Sequence, residues 1–305
     1  MAESFRLKEN SYGKQGVRLV KVERHGAFDM IRQMEVEVRL EGDFAAAYEQ
    51  GDNRLVVPTD TMKNTVYAMA GRGPVGEIEE FGMRLASHFL SRHGHVNGAR
   101  IGIAEDLWQA LGSDGTHDGH AFRRSGPERR AAVIERDREG AFVRSSIEGL
   151  TLLKTNRSAF VDFLHDELTT LKDSRDRLFG TVVTAEWTWK NTNQDFGGTW
   201  RGVRDTLLES FARHDSLGVQ HTQYAMGEAV LRRFESIEEI RLTMPNRHCL
   251  AVDLSPFGME NRNEVFVPID EPSGLIEAVI SRENKSAVQI HGDMEDAGVE
   301  VDACR

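Results

Sequence analysis

The tightest constraint on this chain is a short stretch: Met34-Glu35-Val36-Glu37-Val38-Arg39-Leu40 alternates apolar and charged residues almost without a break. A period of two sends the apolar side chains to one face of an extended backbone and the charged ones to the other. A helical backbone would scatter both kinds around its circumference. The segment therefore predicts a strand with one buried and one wet face, the habit of antiparallel sheets. Val17–Val22 reads as an earlier strand, and Phe142–Lys154, Thr181–Lys190, Cys249–Leu254 and Gly274–Ile280 as later ones.

Helical spacing falls between these strands. A capped helix is predicted from Thr59 to Ala70, and a second from Pro74 to Arg92 on the spacing of Ile78, Phe81, Leu85 and Phe89. Val203, Leu207 and Phe211 mark a third helix starting near Thr199 or Trp200; Met226, Val230 and Phe234 mark a fourth starting near Gln220. The order is strand, strand, helix, helix, strands, and then the same again. The repeat is one of element order, with no residue-level repeat visible. It predicts an α+β chain of two ββααββ units, residues 1–139 and 140–305, joined at the turn Arg138-Glu139-Gly140, with an aperiodic acidic tail from about 291. Such a unit covers one face of its sheet with helices, so the other face must be polar or buried elsewhere, and its open edge strands invite pairing with another chain.

Composition narrows the function. The 305 residues suffice for two ordinary cores. A formal net charge of −11 argues against nucleic-acid binding, and it obliges any anionic small substrate to find its own local arginine or lysine. There is no apolar run of membrane-spanning length, no basic-then-apolar leader, and no terminal sorting signal in Asp302-Ala303-Cys304-Arg305, so a cytoplasmic protein is expected. Cys249 and Cys304 form neither a metal spacing nor a disulfide framework. The pairs His93/His95 and His117/His120 lie in loop-like sequence without nearby cysteines and read as surface histidines, so no metal is expected.

Several segments leave two readings open. Pro58-Thr59-Asp60-Thr61 is a capped helix start, with Thr59 or Asp60 as the cap, and also a place where helix amides would meet an anion. Phe160 is a core aromatic or a stacking surface. Arg177 is a surface arginine or an anion clamp. His248, in Met244-Pro245-Asn246-Arg247-His248, is a satisfied core histidine or a proton carrier. Composition and period alone name no reaction.

Taken together, the segments resemble the urate oxidase (uricase) family. The resemblance is carried by Tyr12-Gly13-Lys14 with Val17-Arg18-Leu19-Val20-Lys21-Val22, Thr59-Asp60-Thr61-Met62-Lys63-Asn64-Thr65-Val66-Tyr67, Gly149-Leu150-Thr151-Leu152-Leu153-Lys154-Thr155, Ser158-Ala159-Phe160, Thr169-Thr170-Leu171-Lys172, Asp176-Arg177, Val219-Gln220, Pro245-Asn246-Arg247-His248, Asn263-Glu264-Val265-Phe266 and Gly274-Leu275-Ile276, in order from about residue 12 to 282. Asn156, Leu168 and Cys249 depart from the family pattern, and none is a contact position.

The resemblance implies a tandem T-fold whose sheets close into a barrel around a tunnel when subunits pair, two such dimers making a homotetramer with active sites between subunits. It implies oxidation of urate by O2 and water, without cofactor, to 5-hydroxyisourate and hydrogen peroxide. Carried onto this chain, Phe160 resembles the aromatic stacked on the purine, Arg177 and Gln220 the grip on its edge with the amide of Val219, and Leu171 and Ile276 the apolar walls. Thr59 and Asp60 resemble the residues reaching in from the neighbouring subunit. Thr59 and Asn246 resemble the holders of oxygen or water above the ring, and Lys14, Thr59 and His248 the proton relay. Two rivals share the fold: a purine or pterin binder that needs Phe160, Arg177 and Gln220 but not Lys14 and His248, and a zinc enzyme that needs Cys and His ligands.

Overall fold

A computed structural model describes residues 5–26, 28–111 and 119–283. Strands β1 (Tyr12–Arg24) and β2 (Asp29–Gly42) lead through a short helix α1 (Ala45–Gln50) to helices α2 (Thr59–Gly71) and α3 (Ile78–Arg92). Strands β3 (Val96–Ala110) and β4 (Phe122–Arg136) follow. The second half runs β5 (Ala141–Lys154), β6 (Phe179–Trp189), α4 (Phe196–Arg213), α5 (Val219–Arg233), β7 (Ile237–Thr243), β8 (Asn246–Ala251), β9 (Phe266–Gly274) and β10 (Glu277–Ser281). All strands belong to one antiparallel sheet whose main path is β1-β2-β3-β4-β5-β6-β7-β10, with β8 and β9 a hairpin beside β6. The acidic tail from 291, His117 and Cys304 lie outside the described residues.

The alternation in β2 does what its period requires: Met34, Val36, Val38 and Leu40 are buried, while the residues between them face away. The apolar side of the sheet packs under the helices. Val36, Ile101, Ile134, Val183, Trp187, Ile240 and Leu242 meet Val66, Phe81, Leu85, Phe89, Val203, Leu207, Met226 and Val230 in one continuous core. The opposite face is polar and laced with ion pairs, including Arg18–Glu35 at 3.1 Å, Arg100–Glu135 at 3.1 Å and Arg144–Glu186 at 3.5 Å.

The repeat goes deeper than element order. The register of β1 on β2 breaks between Lys14 and Val17, and that of β5 on β6 breaks between Ile147 and Leu150. Each break holds a left-handed glycine, Gly16 at φ 67° and Gly149 at φ 76°. Helices α3 and α5 are both 15 residues long. After them, the amide of Val96 donates to His93 O, and the amide of Ile237 donates to Phe234 O, in the same way. The halves share backbone registers while their side chains have diverged, so residue matching along the sequence does not reveal the repeat.

Helix starts shift from expectation: α3 begins at Ile78 rather than Pro74, α4 at Phe196 rather than Thr199 or Trp200, and the cap of α2 is a different residue. Pro58, not Thr59 or Asp60, holds the N-cap position of α2, making those two the first helical residues. α3 carries a Glu77/Glu80 capping box, and α4 is capped by Asp195, whose carboxylate accepts from the Gly198 amide at 2.8 Å. Neither α2 nor α5 has a side-chain cap.

The two bulge glycines differ in surroundings. A Cβ on Gly16 meets nothing within 4 Å, whereas one on Gly149 stands 3.3 Å from Pro127 O. Gly16→Ala is expected to cost about 1–2 kcal/mol, the penalty for a side chain in the left-handed region. Gly149→Ala is expected to cost more, because the carbonyl must also move. Thermal unfolding of the two variants side by side checks the order, and equal midpoints would contradict it.

Candidate functional site

The residues singled out from the sequence gather into two groups. The first lies on β1 and the start of α2. The Tyr12 hydroxyl donates to Val57 O at 3.2 Å and accepts from the Val57 amide at 2.7 Å, pinning the approach to α2 against β1. Lys14, half-buried, and Thr59 and Asp60 share this corner. The Asp60 carboxylate is held by the Lys63 ammonium and accepts from Asn64 Nδ2 at 2.8 Å. Lys63 first, with Lys14 as a lesser influence, holds its pKa below the ordinary carboxylate value. The first amides of α2 have no side-chain cap.

The second group lies between β5, the connector to β6, the start of α5, and β8. Here a chain of hydrogen bonds fixes the spacing. The Ala159 amide donates to Ser216 O at 2.7 Å, the Ser216 amide to Arg157 O at 2.9 Å, and the Arg177 amide to Ser158 O at 2.8 Å. Phe160 exchanges backbone hydrogen bonds with Ser174. The result brings Phe160, Arg177, Val219 and Gln220 together. The Arg177 guanidinium carbon stands 5.0 Å from the Phe160 ring centroid. A Cβ on Gly218 would lie 3.7 Å from Gln220 Oε1 and 3.8 Å from Phe160 Cδ2. Behind Phe160, Phe163 stacks at 4.8 Å and His165 on Phe163 at 4.6 Å.

Asn246 and Ile276 join this group through the sheet. Asn246 is buried and paired with Thr181 and Gly274. The buried Gln223 of α5 donates from Nε2 to Leu242 O at 2.7 Å and to Ile276 O at 3.2 Å, tying the helix to this wall. His248 follows on β8, half-buried and opposite Ile269. Leu171 sits on the β5–β6 connector and is 57% exposed.

Arg177 dominates the electrostatics of this group. It is half-buried, burial pushes its pKa below the ordinary arginine value, and its buried Nε has no hydrogen-bond partner. A desolvated guanidinium with an unspent donor, flanked by a flat aromatic ring and the uncapped N-terminus of α5, suits a flat anion.

Within one chain the two groups stay apart. Among the described residues, no hydrogen bond, ion pair or ring contact links Lys14, Thr59 or Asp60 to Phe160, Arg177, Gln220, Asn246 or His248. β1 is one end of the strand path, and β7 with β10 is the other.

The sequence reading missed the supports. Lys154 is buried at the end of β5, and its ammonium donates to His214 O. Burial first, then Arg157, lowers its pKa. Arg157 pairs with Asp215 and donates to Arg213 O at 2.6 Å. A lysine at an inward position of a strand was the signal available for the first. Gln223, at the inward period of α5, was the signal for the second tie. Among the described residues, no group of three or more His, Cys, Asp or Glu side chains is arranged to hold a metal ion, and no helix is long and apolar enough to cross a membrane.

Comparison with known proteins gives the family and the overall fold. A family profile described as uricase matches residues 10–135 and 143–277. The chain is 44% identical over 281 residues to a uricase from Arthrobacter globiformis, covering 92% of this chain and 91% of that one. It is 37% identical to a uricase from Aspergillus flavus, covering 90% and 97%. The crystal structure of the Arthrobacter globiformis uricase superposes with a TM-score of 0.89 over 93% of this chain and 98% of that one. A uricase from Bacillus fastidious superposes with a TM-score of 0.78 at 25% identity, covering 90% and 94%. The chain belongs to the uricase family.

Proposed function

We propose that this oxidoreductase converts urate, O2 and water to 5-hydroxyisourate and hydrogen peroxide without a cofactor, at sites shared between subunits. Family membership supports urate oxidase activity itself. The observation that carries the choice of site is Arg177, a half-buried guanidinium with an unpartnered Nε beside the Phe160 ring. Urate is flat and anionic. Stacked on Phe160, it presents one edge to Arg177, Gln220 and the Val219 amide, with Leu171 and Ile276 as walls. Its two electrons go to O2, water supplies the hydroxyl at the oxidised ring carbon, and O2 leaves as peroxide. The protein selects the anion, carries protons through Lys14, Thr59 and His248, and holds O2 or water above the ring with Asn246 and Thr59. Fixing the reactants face to face supplies the orientation gain.

The internal repeat supports the shared site. Inside the chain, the first turn of α4 lies so close to the start of α3 that a Cβ on Gly197 would strike Glu77, and Ser145 of β5 donates to Glu79 at 2.5 Å. By register, β1 and the start of α2 are the equivalents of β5 and the start of α4. A second copy docked at β10 as β5 docks at β4 would therefore bring its Lys14, Thr59 and Asp60 to the start of α5, beside Val219 and Gln220. Two such docks close the sheets into a tunnel lined by the polar face; two dimers complete a homotetramer of two-unit chains, 1–139 and 140–305, in the cytoplasm.

Lys14→Met and Thr59→Ala are expected to lower turnover by about 10²–10⁴, the range for lost acid–base catalysis, with unchanged folding. Steady-state kinetics with urate in air, following peroxide, check this, and normal turnover in both would remove the relay. Arg177→Ala is expected to raise KM and lower kcat/KM by about tenfold or more. The shared site has its own check. Lys14→Met and Arg177→Ala chains, each impaired alone by the factors above, are refolded as a mixture. Hybrids then contain intact sites, and random pairing restores roughly a quarter of wild-type activity. A mixture as impaired as its parents would put the whole site within one chain. Metal-stripped protein that consumes urate without forming peroxide, or consumes none, would overturn the reaction.

A further inference from the structure

We propose that the first half of the chain holds a second, closed copy of this site, in which the Arg130 guanidinium stands where a ligand would, leaving one open site per chain. The inference rests on the assignment of the open site made above.

The registers define which residues correspond. Helix α3 opens Glu77-Ile78-Glu79 and α5 opens Gly218-Val219-Gln220, each the N-cap residue and the first two helical residues of a 15-residue helix. Glu79 is thus the counterpart of Gln220. On the sheet, Met34 of β2 pairs with Glu105 of β3, and Thr181 of β6 pairs with Asn246 at the matching position. Glu105 is therefore the counterpart of Asn246. The next pairing outward is Glu105 with Arg130 in the first half and Asn246 with Gly274 in the second. Arg130 and Gly274 are counterparts.

That single difference accounts for the two outcomes. At Gly274 there is no side chain: a Cβ there would have Ile276 Cδ1 at 3.5 Å and Asn246 Cβ at 3.8 Å, and among the described residues no cation reaches in beside them. At Arg130 a planar cation extends into the equivalent place. One guanidinium nitrogen donates to Glu79 Oε2 at 2.5 Å and the other to Glu77. Its carbon lies 5.8 Å from the Trp200 ring centroid, the same kind of aromatic contact that Phe160 offers in the open site. Arg130 Nε has no hydrogen-bond partner. Glu79 also accepts from Ser145 of β5, whose counterpart by register on β1 is Tyr12, two residues before Lys14. The carboxylate replacing the Gln220 amide sets the chemistry of the closed copy: it suits a planar amidinium or guanidinium cation that gives two parallel hydrogen bonds, not an anion.

The test moves the plug in both directions. Arg130→Gly should unfold at a lower temperature than the wild type. In about 10 mM guanidinium chloride it should regain roughly 3 °C or more relative to matched sodium chloride, by mass action on the emptied place. Methylammonium, a cation without the planar fork, should give no such gain. Neither the wild type nor Glu79→Gln/Arg130→Gly should respond. If Arg130→Gly does not fold unaided, its refolding yield with guanidinium against sodium reads the same binding. No gain, or equal gain in all three proteins, overturns the proposal. Conversely, Gly274→Arg should abolish urate binding or weaken it at least about tenfold, while Gly274→Ala, whose Cβ would stand 3.5 Å from Ile276 Cδ1, should retain it. Urate binding undiminished in Gly274→Arg would break the correspondence. The guanidinium response needs no catalysis, so a wild type inactive on urate would refute the proposed reaction and leave this result standing.

Discussion

The pairing of Glu79 with Arg130 is the contact on which the two halves of the chain depend. Both side chains are buried, and burial raises the Glu79 pKa while Arg130 and Ser145 pull it down. Ser145 in turn accepts from Trp189 Nε1 at 2.8 Å, and Trp200, against Arg130, donates to Ser146 O at 3.0 Å. The network therefore spans α3, β4, β5, β6 and α4, elements from both sides of the turn after β4. Swapping such a pair for apolar residues would cost little, but losing one member strands a charge in the core at about 3–5 kcal/mol. The pair ties the start of α3 and β4 to β5, beside the β4–β5 pairing that joins the halves.

That pairing keeps one sheet continuous, and the continuity separates the two groups of candidate residues to its ends. β1 carries Lys14 and abuts Thr59; β7, β8 and β10 border Asn246, Ile276 and the start of α5. The helices that carry the candidate residues, α2 and α5, have no side-chain cap, while α3 and α4, which meet inside the chain, are capped by Glu77 with Glu80 and by Asp195. Capping marks which helix starts are finished by the chain itself.

Much of the fold was legible. The period of two in β2 and the three- and four-residue steps in α3 need only local chemistry, and they placed those elements within a few residues. The start of α2 falls at Thr59 as expected, but its cap differs: Thr59 and Asp60 are good caps in isolation, yet Pro58 holds that position, leaving both inside the helix. The strand expected at Cys249–Leu254 begins instead at Asn246, because the register on β6 runs on past Pro245. Residues such as Phe160 and Arg177 were legible only through family resemblance, since an aromatic or an arginine in a connector carries no periodic signal. Lys154, Arg157 and Gln223 escaped because their partners are backbone carbonyls distant in sequence. The registers shared by the halves escaped because they reside in bulges and pairings.

The strand path has a further consequence, one of parity. Eight strands lie along it and every neighbouring pair is antiparallel, so β1 and β10 run in opposite directions. A chain with one strand more or fewer would present two edges of like direction, and copies repeated along the ribbon in one orientation would meet in slanted parallel bonding. An even count lets the alternation run through any number of copies without a fault line, so gene duplication of a four-stranded unit could lengthen the ribbon while leaving the rule at its edges unchanged.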